Sequence, residues 1–398
     1  MEFQLPIQIS SLPQPIEYTD KIMLTGSCFT EHIGNHLRDL KFDTLQNPNG
    51  ILFDPASVAG SIVSYIQHKT YREEDLFYFN ELWQSWQHHS VFSGMDRTES
   101  LRVINESQAR AHDFLKEAKW LIITLGSAFS YRLVADAPAE LRPGGSNARA
   151  EVRPGAFSAP PEGHSGAATG NMAGSHPSDV RASDAPAHDG PRPPETPVAN
   201  CHRVPAQHFR KHLMTIEEIN SALDNCLHQL FHFNPSIGVI FTVSPVRHIR
   251  DGVIENNRSK ARLIEVVHHL TGKFDRLWYF PAYELVIDVL RDYRFYDIDL
   301  VHPNYAATNF VLEKFTRHFI GDSSQQIMEE VKKIAIARKH KPFQPATLAH
   351  KRFLLDHWQK TKDLIDKYPF LHLEEELDYF SRGGPFRGDP HKDGQPGL

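Results

Sequence analysis

Two short runs constrain this chain more than anything else in it. Trp120-Leu-Ile-Ile-Thr-Leu125 and Ile237-Gly-Val-Ile-Phe-Thr-Val243 are apolar at odd and even positions alike. A strand with one wet face alternates, whereas a continuous apolar run is covered on both faces, as in a parallel sheet between helices. Each run stops at small polar residues, Gly126-Ser127 and Ser244-Pro245. Lys21–Thr25, ending at Gly26-Ser27-Cys28, and Arg276–Phe280 read as further strands. Helix patterns lie between them. Phe29, Ile33, Leu37 and Leu40 recur at three and four residues, and Asp54-Pro55 reads as N-cap and first helical position. Thr215-Ile-Glu-Glu218 has capping-box spacing. Glu99–Lys119, Lys260–Leu270, Ala282–Leu290 and Ala306–Phe319 read as helices, and Leu76–Phe92 as a short hairpin. The alternation predicts an α/β fold, a three-layer α/β/α sandwich with a parallel central sheet.

From Asp136 to about Pro197 the pattern fails, and eleven of the chain's 27 prolines fall there with Phe157 as the only aromatic. Such a segment buries too little apolar surface to offset ordering entropy, so a disordered insertion at about 136–197 is expected within a domain spanning 1–320. A helical extension over 321–380 and a disordered tail over 381–398 follow. The net charge of −6 offers no global field for a polyanion, which argues against nucleic-acid binding. Three scattered cysteines exclude a disulfide framework, and no apolar run approaches the roughly 20 residues of a membrane span. With no signal-like N-terminus, a soluble cytoplasmic location is expected.

In an open parallel sheet, ligands bind beyond the carboxyl ends of the strands. Gly26-Ser27-Cys28, Gly126-Ser127, Ser244-Pro-Val-Arg-His248 and the loop with Asp299 and His302 all fall there. Ser27, read alone, is more often a helix cap than a nucleophile. Asp299-Leu-Val-His302 lets a turn fold the carboxylate onto its own imidazole, which leaves the other ring nitrogen free for a hydroxyl. Cys28 is a competing nucleophile at a helix N-terminus. Adjacent His88-His89 share no face, so no metal site is expected, and no cofactor. Arg247 and His248 fit either substrate binding or a structural ion pair.

Gly26-Ser27-Cys28-Phe29, with Asn49-Gly50-Ile51, Thr124-Leu-Gly-Ser-Ala128, Val198–Pro205, Ser244–His248 and Asp299–Asn304, resembles the GSCFA family, a branch that looks like the SGNH (GDSL-like) hydrolases. The resemblance covers about residues 20 to 320 apart from the insertion. It implies a Ser-His-Asp triad cleaving acyl esters, with Ser27 as nucleophile, His302 as base and Asp299 as orienting acid. It also implies an oxyanion donor at Gly50. Many SGNH enzymes carry an Asn after the third-block glycine, but here Gly126 is followed by Ser127, leaving Asn200, His202 or Arg247 as substitutes. The expected activity is an esterase acting on O-acyl groups, carbohydrate O-acetyl groups among them. An O-acyltransferase with the same triad and a non-catalytic carbohydrate-binding protein are the alternatives.

Overall fold

The computed structural model describes residues 5–144 and 196–382. Five strands, β1 (Ile22–Gly26), β2 (Thr44–Gln46), β5 (Trp120–Leu125), β9 (Gly238–Val243) and β10 (Leu277–Tyr279), form one sheet in the order β10-β9-β5-β1-β2. Every pairing in it is parallel.

Side-chain alternation explains the two covered faces. Ile22, Leu24, Trp120, Ile122 and Ile240 point into one core with α1 (Phe29–Asp39) and α7 (Tyr305–Phe319). Met23, Leu121, Ile123, Val239, Phe241 and Val243 point into a second core. That core is closed by α2 (Pro55–Ile66), α3 (Arg97–Glu117), α4 (Ile216–Phe233) and α5 (Gly252–Lys273). This is the expected three-layer α/β/α arrangement. Each fully buried aliphatic or Phe side chain contributes about 1.5–3 kcal/mol of transfer free energy, which is what holds both helix layers on the sheet.

Local signals are met where the chemistry is specific. The Asp54 carboxylate accepts from Ser57 N–H at 3.0 Å and caps α2, and Thr215 with Glu218 forms the capping box of α4. The expected hairpin is β3 (Leu76–Phe79) against β4 (Leu82–Ser85). A small antiparallel sheet joins β6 (Phe129–Leu133) to β7 (Thr196–Val198) and β8 (Phe209–Leu213).

Some boundaries differ from expectation. The expected insertion at 136–197 is ordered at both ends. Ala137 and Leu141 pack in the core under Trp86, whose indole N–H donates to Leu141 O at 3.0 Å, and Pro197 lies within β7. The remaining 145–195 lie outside the described residues, as does the tail from 383. α5 begins at Gly252, two turns before Lys260. Ala282–Glu284 forms α6, a single helical turn, and Leu285–Leu290 continues it as a π-helix. The C-terminal helices α8 (Asp322–Lys339), α9 (Leu348–Lys367) and α10 (Glu374–Ser381) are no appendage, because Ile327, Val331, Leu354 and Phe380 belong to the same core as α1 and α7. Among the described residues no helix is long and apolar enough to cross a membrane.

Candidate active site

In this sheet order the chain runs from β1 to β2 on one side and to β5, β9 and β10 on the other. The switch point is therefore between the carboxyl ends of β1 and β5, where such sheets hold ligands. Ser27 follows β1 there. Its N–H donates to Thr124 O at 3.0 Å, and its carbonyl accepts from Thr30 N–H at 2.9 Å in the first turn of α1.

Two glycines make this placement possible. Gly26 has φ +137°, and a Cβ on it would lie 2.1 Å from Thr124 O. A Cβ on Gly126 would lie 3.0 Å from Ser27 Cβ and 3.2 Å from Phe53 Cδ1. Only glycine at both positions lets the serine sit between the strand ends.

The Ser27 hydroxyl does not cap α1, whose N-cap is Cys28 with no side-chain bond. Ser27 is fully buried, and its Oγ has no hydrogen-bond partner among the described residues. An unpaired buried hydroxyl costs about 1–3 kcal/mol, so it is a feature that calls for a reason. Gly126 packs against the Ser27 Cβ, and Phe53 packs against Gly126. A cavity of about 480 Å³ lies elsewhere, lined by Asp54, Tyr131, Arg132, Met214 and Glu217.

Asp299 and His302 fold together as their spacing suggests. His302 Nδ1–H donates to Asp299 Oδ2 at 2.6 Å, while Asp299 Oδ1 accepts from the Val301 and His302 N–H groups at 2.9 and 3.1 Å. These bonds, the His302 bond foremost, hold the Asp299 carboxyl down at about 2. The pair is half-exposed, with side-chain exposures of 45% and 51%, and no hydrogen bond joins His302 to Ser27. Asp297 and His302 both act electrostatically on His32 of α1.

The other expected site residues have different roles. Gly50 N–H is not free for an oxyanion; it donates to Asn47 O at 2.7 Å and closes a tight turn, with φ +77°. Asn200 Oδ1 accepts from His202 N–H at 2.9 Å, and His202 Nε2–H donates to Ser85 O at 2.8 Å against Trp86 and Phe77. Both belong to the small-sheet core and not to the switch point. Arg247 stacks on Tyr296 at 3.8 Å and donates to Leu300 O at 3.0 Å, so it braces the Asp299–His302 loop and forms no ion pair among the described residues. His248 does reach the site region. Its ring packs edge-on to Phe53, its Nε2 is buried without a partner among the described residues, and burial, with Lys260 and His302 adding, pushes its pKa down to about 3.

Cys28 is half-buried, and burial raises its thiol pKa, which weakens it as a nucleophile. His88 Nδ1 pairs with Ser85 Oγ at 2.9 Å, whereas His89 Nδ1 accepts from Val91 N–H, so the two rings share no ligand direction.

One site residue escaped the sequence reading. Lys260 is buried, and its Nζ donates to Gly126 O and Ser244 O at 2.6 Å each, across the ends of β5 and β9. The available signal was the stripe Asn256, Lys260, Leu263, Val267, in which a lysine occupies an inward position of α5.

No curated protein and no solved structure matches this chain. Residues 331–383 match the C-terminal domain of GSCFA domain proteins. Residues 21–141 and 192–315 match the GSCFA family itself, and these two stretches carry the strand ends, the Ser27 turn and the Asp299–His302 loop: the chain belongs to the GSCFA family.

Proposed function

We propose that the chain is a serine hydrolase of the esterase type that cleaves O-acyl esters, carbohydrate O-acetyl groups among them. The observation carrying this reading is the unpartnered Ser27 hydroxyl buried at the switch point, in the turn that leads into α1, beside a preformed Asp299–His302 pair whose loop acts electrostatically on His32 of that helix. The carboxylate takes the Nδ1–H, so the neutral imidazole keeps its lone pair on Nε2. With the 297–302 loop closed on α1, Nε2 accepts the Ser27 proton as Oγ attacks the acyl carbon. The alcohol leaves with that proton. Water then attacks the acyl-enzyme, His302 takes its proton, and the acid is released with Ser27 restored. Turnover also requires the structure to open over Ser27, since the hydroxyl is buried in this conformation.

Intact mass after incubation with a fluorophosphonate tests the reading, with peptide mapping of the adduct. One adduct on Ser27, absent from Ser27→Ala, is expected, together with hydrolysis of p-nitrophenyl acetate. A folded wild type that takes no adduct on Ser27 and leaves the ester intact would overturn it.

A further inference from the structure

Lys260 lies on the helix layer opposite α1, yet its stem reaches the carboxyl end of the sheet and ties Nζ across the ends of β5 and β9, one strand from the switch point. The two carbonyls it binds at 2.6 Å use two of the three N–H groups of an ammonium. Among the described residues no carboxylate pairs with it. Burying an unpaired ammonium is costly, and a neutral side chain could tie two carbonyls at lower cost, so a lysine here has a use for its charge. Its titratable neighbours are the Cys28 thiol at the start of α1, His248 on the β9–α5 loop, and Tyr283 of α6, whose ring centre lies 5.9 Å from Nζ. Gly126, whose carbonyl it holds, is the glycine packed against Ser27.

We infer that Lys260 supplies the positive charge that stabilises the oxyanion formed when Ser27 takes an acyl group, in place of the Asn that is missing after Gly126. The inference rests on the hydrolase reading above. Two observations limit the alternatives. The Gly50 N–H is engaged with Asn47 O, and the Ser27 N–H with Thr124 O, so neither amide is free for the task. Asn200, His202 and Arg247 are occupied elsewhere. The Lys260 charge already acts on the residue next to Ser27, where it favours the Cys28 thiolate against burial. In a dry site a fixed charge near a developing oxyanion stabilises it far more than in water.

The charge brings a pH signature. Burial lowers the Lys260 pKa to about 7, so its positive form is lost as pH rises through that value. Activity should therefore fall on the alkaline side. Cys28 and Tyr283 are both shifted upward, and His248 is neutral throughout, so none of these neighbours supplies a fall near 7.

The test compares wild type with Lys260→Gln, which keeps N–H donors without charge, and Lys260→Arg, which keeps charge without titrating. Esterase rates are followed from pH 5 to 10, and Cys28 alkylation by iodoacetamide is followed over the same range. Lys260→Gln, folded by circular dichroism, should lose roughly 10²–10³ in kcat/KM. It should also lose the alkaline fall, and its Cys28 alkylation midpoint should move to higher pH. Lys260→Arg should recover part of the rate, with no alkaline fall. A folded Lys260→Gln within threefold of wild type, or one that keeps the alkaline fall, makes Lys260 a structural tie and overturns the inference while the hydrolase reading stands. A wild type without adduct or turnover fails earlier, at the hydrolase reading, and takes this inference with it.

Discussion

The Ser27 turn and the Asp299–His302 loop are built in opposite ways. Ser27 is fully buried, fixed by backbone bonds to Thr124 and Thr30 and by two glycines that admit no side chain. The Asp299–His302 pair is half-exposed, on a loop carrying Leu300 at φ +57° and held from outside by Arg247. One half is pre-organised by the sheet; the other is pre-organised only within itself. Under the hydrolase proposal, nucleophile geometry would be a property of the fold, and base geometry would depend on how a surface loop closes.

The largest effect that could break this contrast is at the nucleophile. Ser27→Ala should reduce p-nitrophenyl acetate hydrolysis by about 10⁴–10⁶ with the melting temperature nearly unchanged, since the hydroxyl makes no hydrogen bond among the described residues. Cys28→Ala should retain most of the rate, its thiol being pushed up by burial. Loss in Cys28→Ala with retention in Ser27→Ala would move the chemistry to the thiol.

The loop comes next. Asp299→Asn should lower kcat by about 10²–10⁴, because the amide no longer fixes the Nδ1–H tautomer, and His302→Ala should be at least as damaging. Neither should lower the melting temperature by more than a few degrees, because the pair is exposed. With Asp299 held near 2, its carboxylate stays charged throughout the working range, so activity should not fall through an Asp299 titration above pH 4. Normal rates in both variants would reduce Asp299-x-x-His302 to a surface turn and make His248 the next base to test.

A third, smaller effect separates buried from exposed histidines by acid. Burial pushes His88 to about 3, His202 to about 4 and His248 to about 3, against roughly 6.5 in an unfolded chain. The unfolded state then binds more protons below 6.5. The fold is at full strength above that value and weakens as pH falls toward the folded-state values, by at most about 1.4 kcal/mol per pH unit for each histidine. His88→Phe, in a pocket already lined by Tyr71 and Phe92, should flatten the loss of melting temperature between pH 7 and 4.5. An unchanged slope would mean that this ring is not held neutral.

What the sequence disclosed follows the same division. The strands at 120–125 and 238–243 were legible because burial on both faces leaves an unbroken apolar run, and α2 and α4 because caps are local chemistry. The Asp299–His302 bond was legible for the same reason, its partners being three residues apart. Contacts across the chain were not. Arg247 turns to Tyr296 and Leu300, about fifty residues away, and Lys260 reaches across the sheet end to Gly126 O. Lys260 read as the start of a helix; with α5 beginning at Gly252 it falls on the inward face instead. β2, of three residues, is too short to carry a pattern.

The smallest effect concerns Phe53. Phe53 lies against Gly126, the glycine packed on Ser27, and edge-on to His248. If Ser27 is sealed by this ring, Phe53→Ala should speed fluorophosphonate labelling of Ser27 by about three- to tenfold. The half-buried ring is replaced at a cost that leaves the fold intact, within the usual few kcal/mol of a large-to-small change. Labelling reports access to the hydroxyl, whereas the acid limb of the ester pH profile reports the base, so the two readouts divide the roles. Faster labelling with the same acid limb places the barrier at Phe53. Unchanged labelling would mean that Ser27 is reached by another path. Slower labelling would mean that Phe53 orders the site, and the contrast between a sealed nucleophile and an open base would then need a different gate.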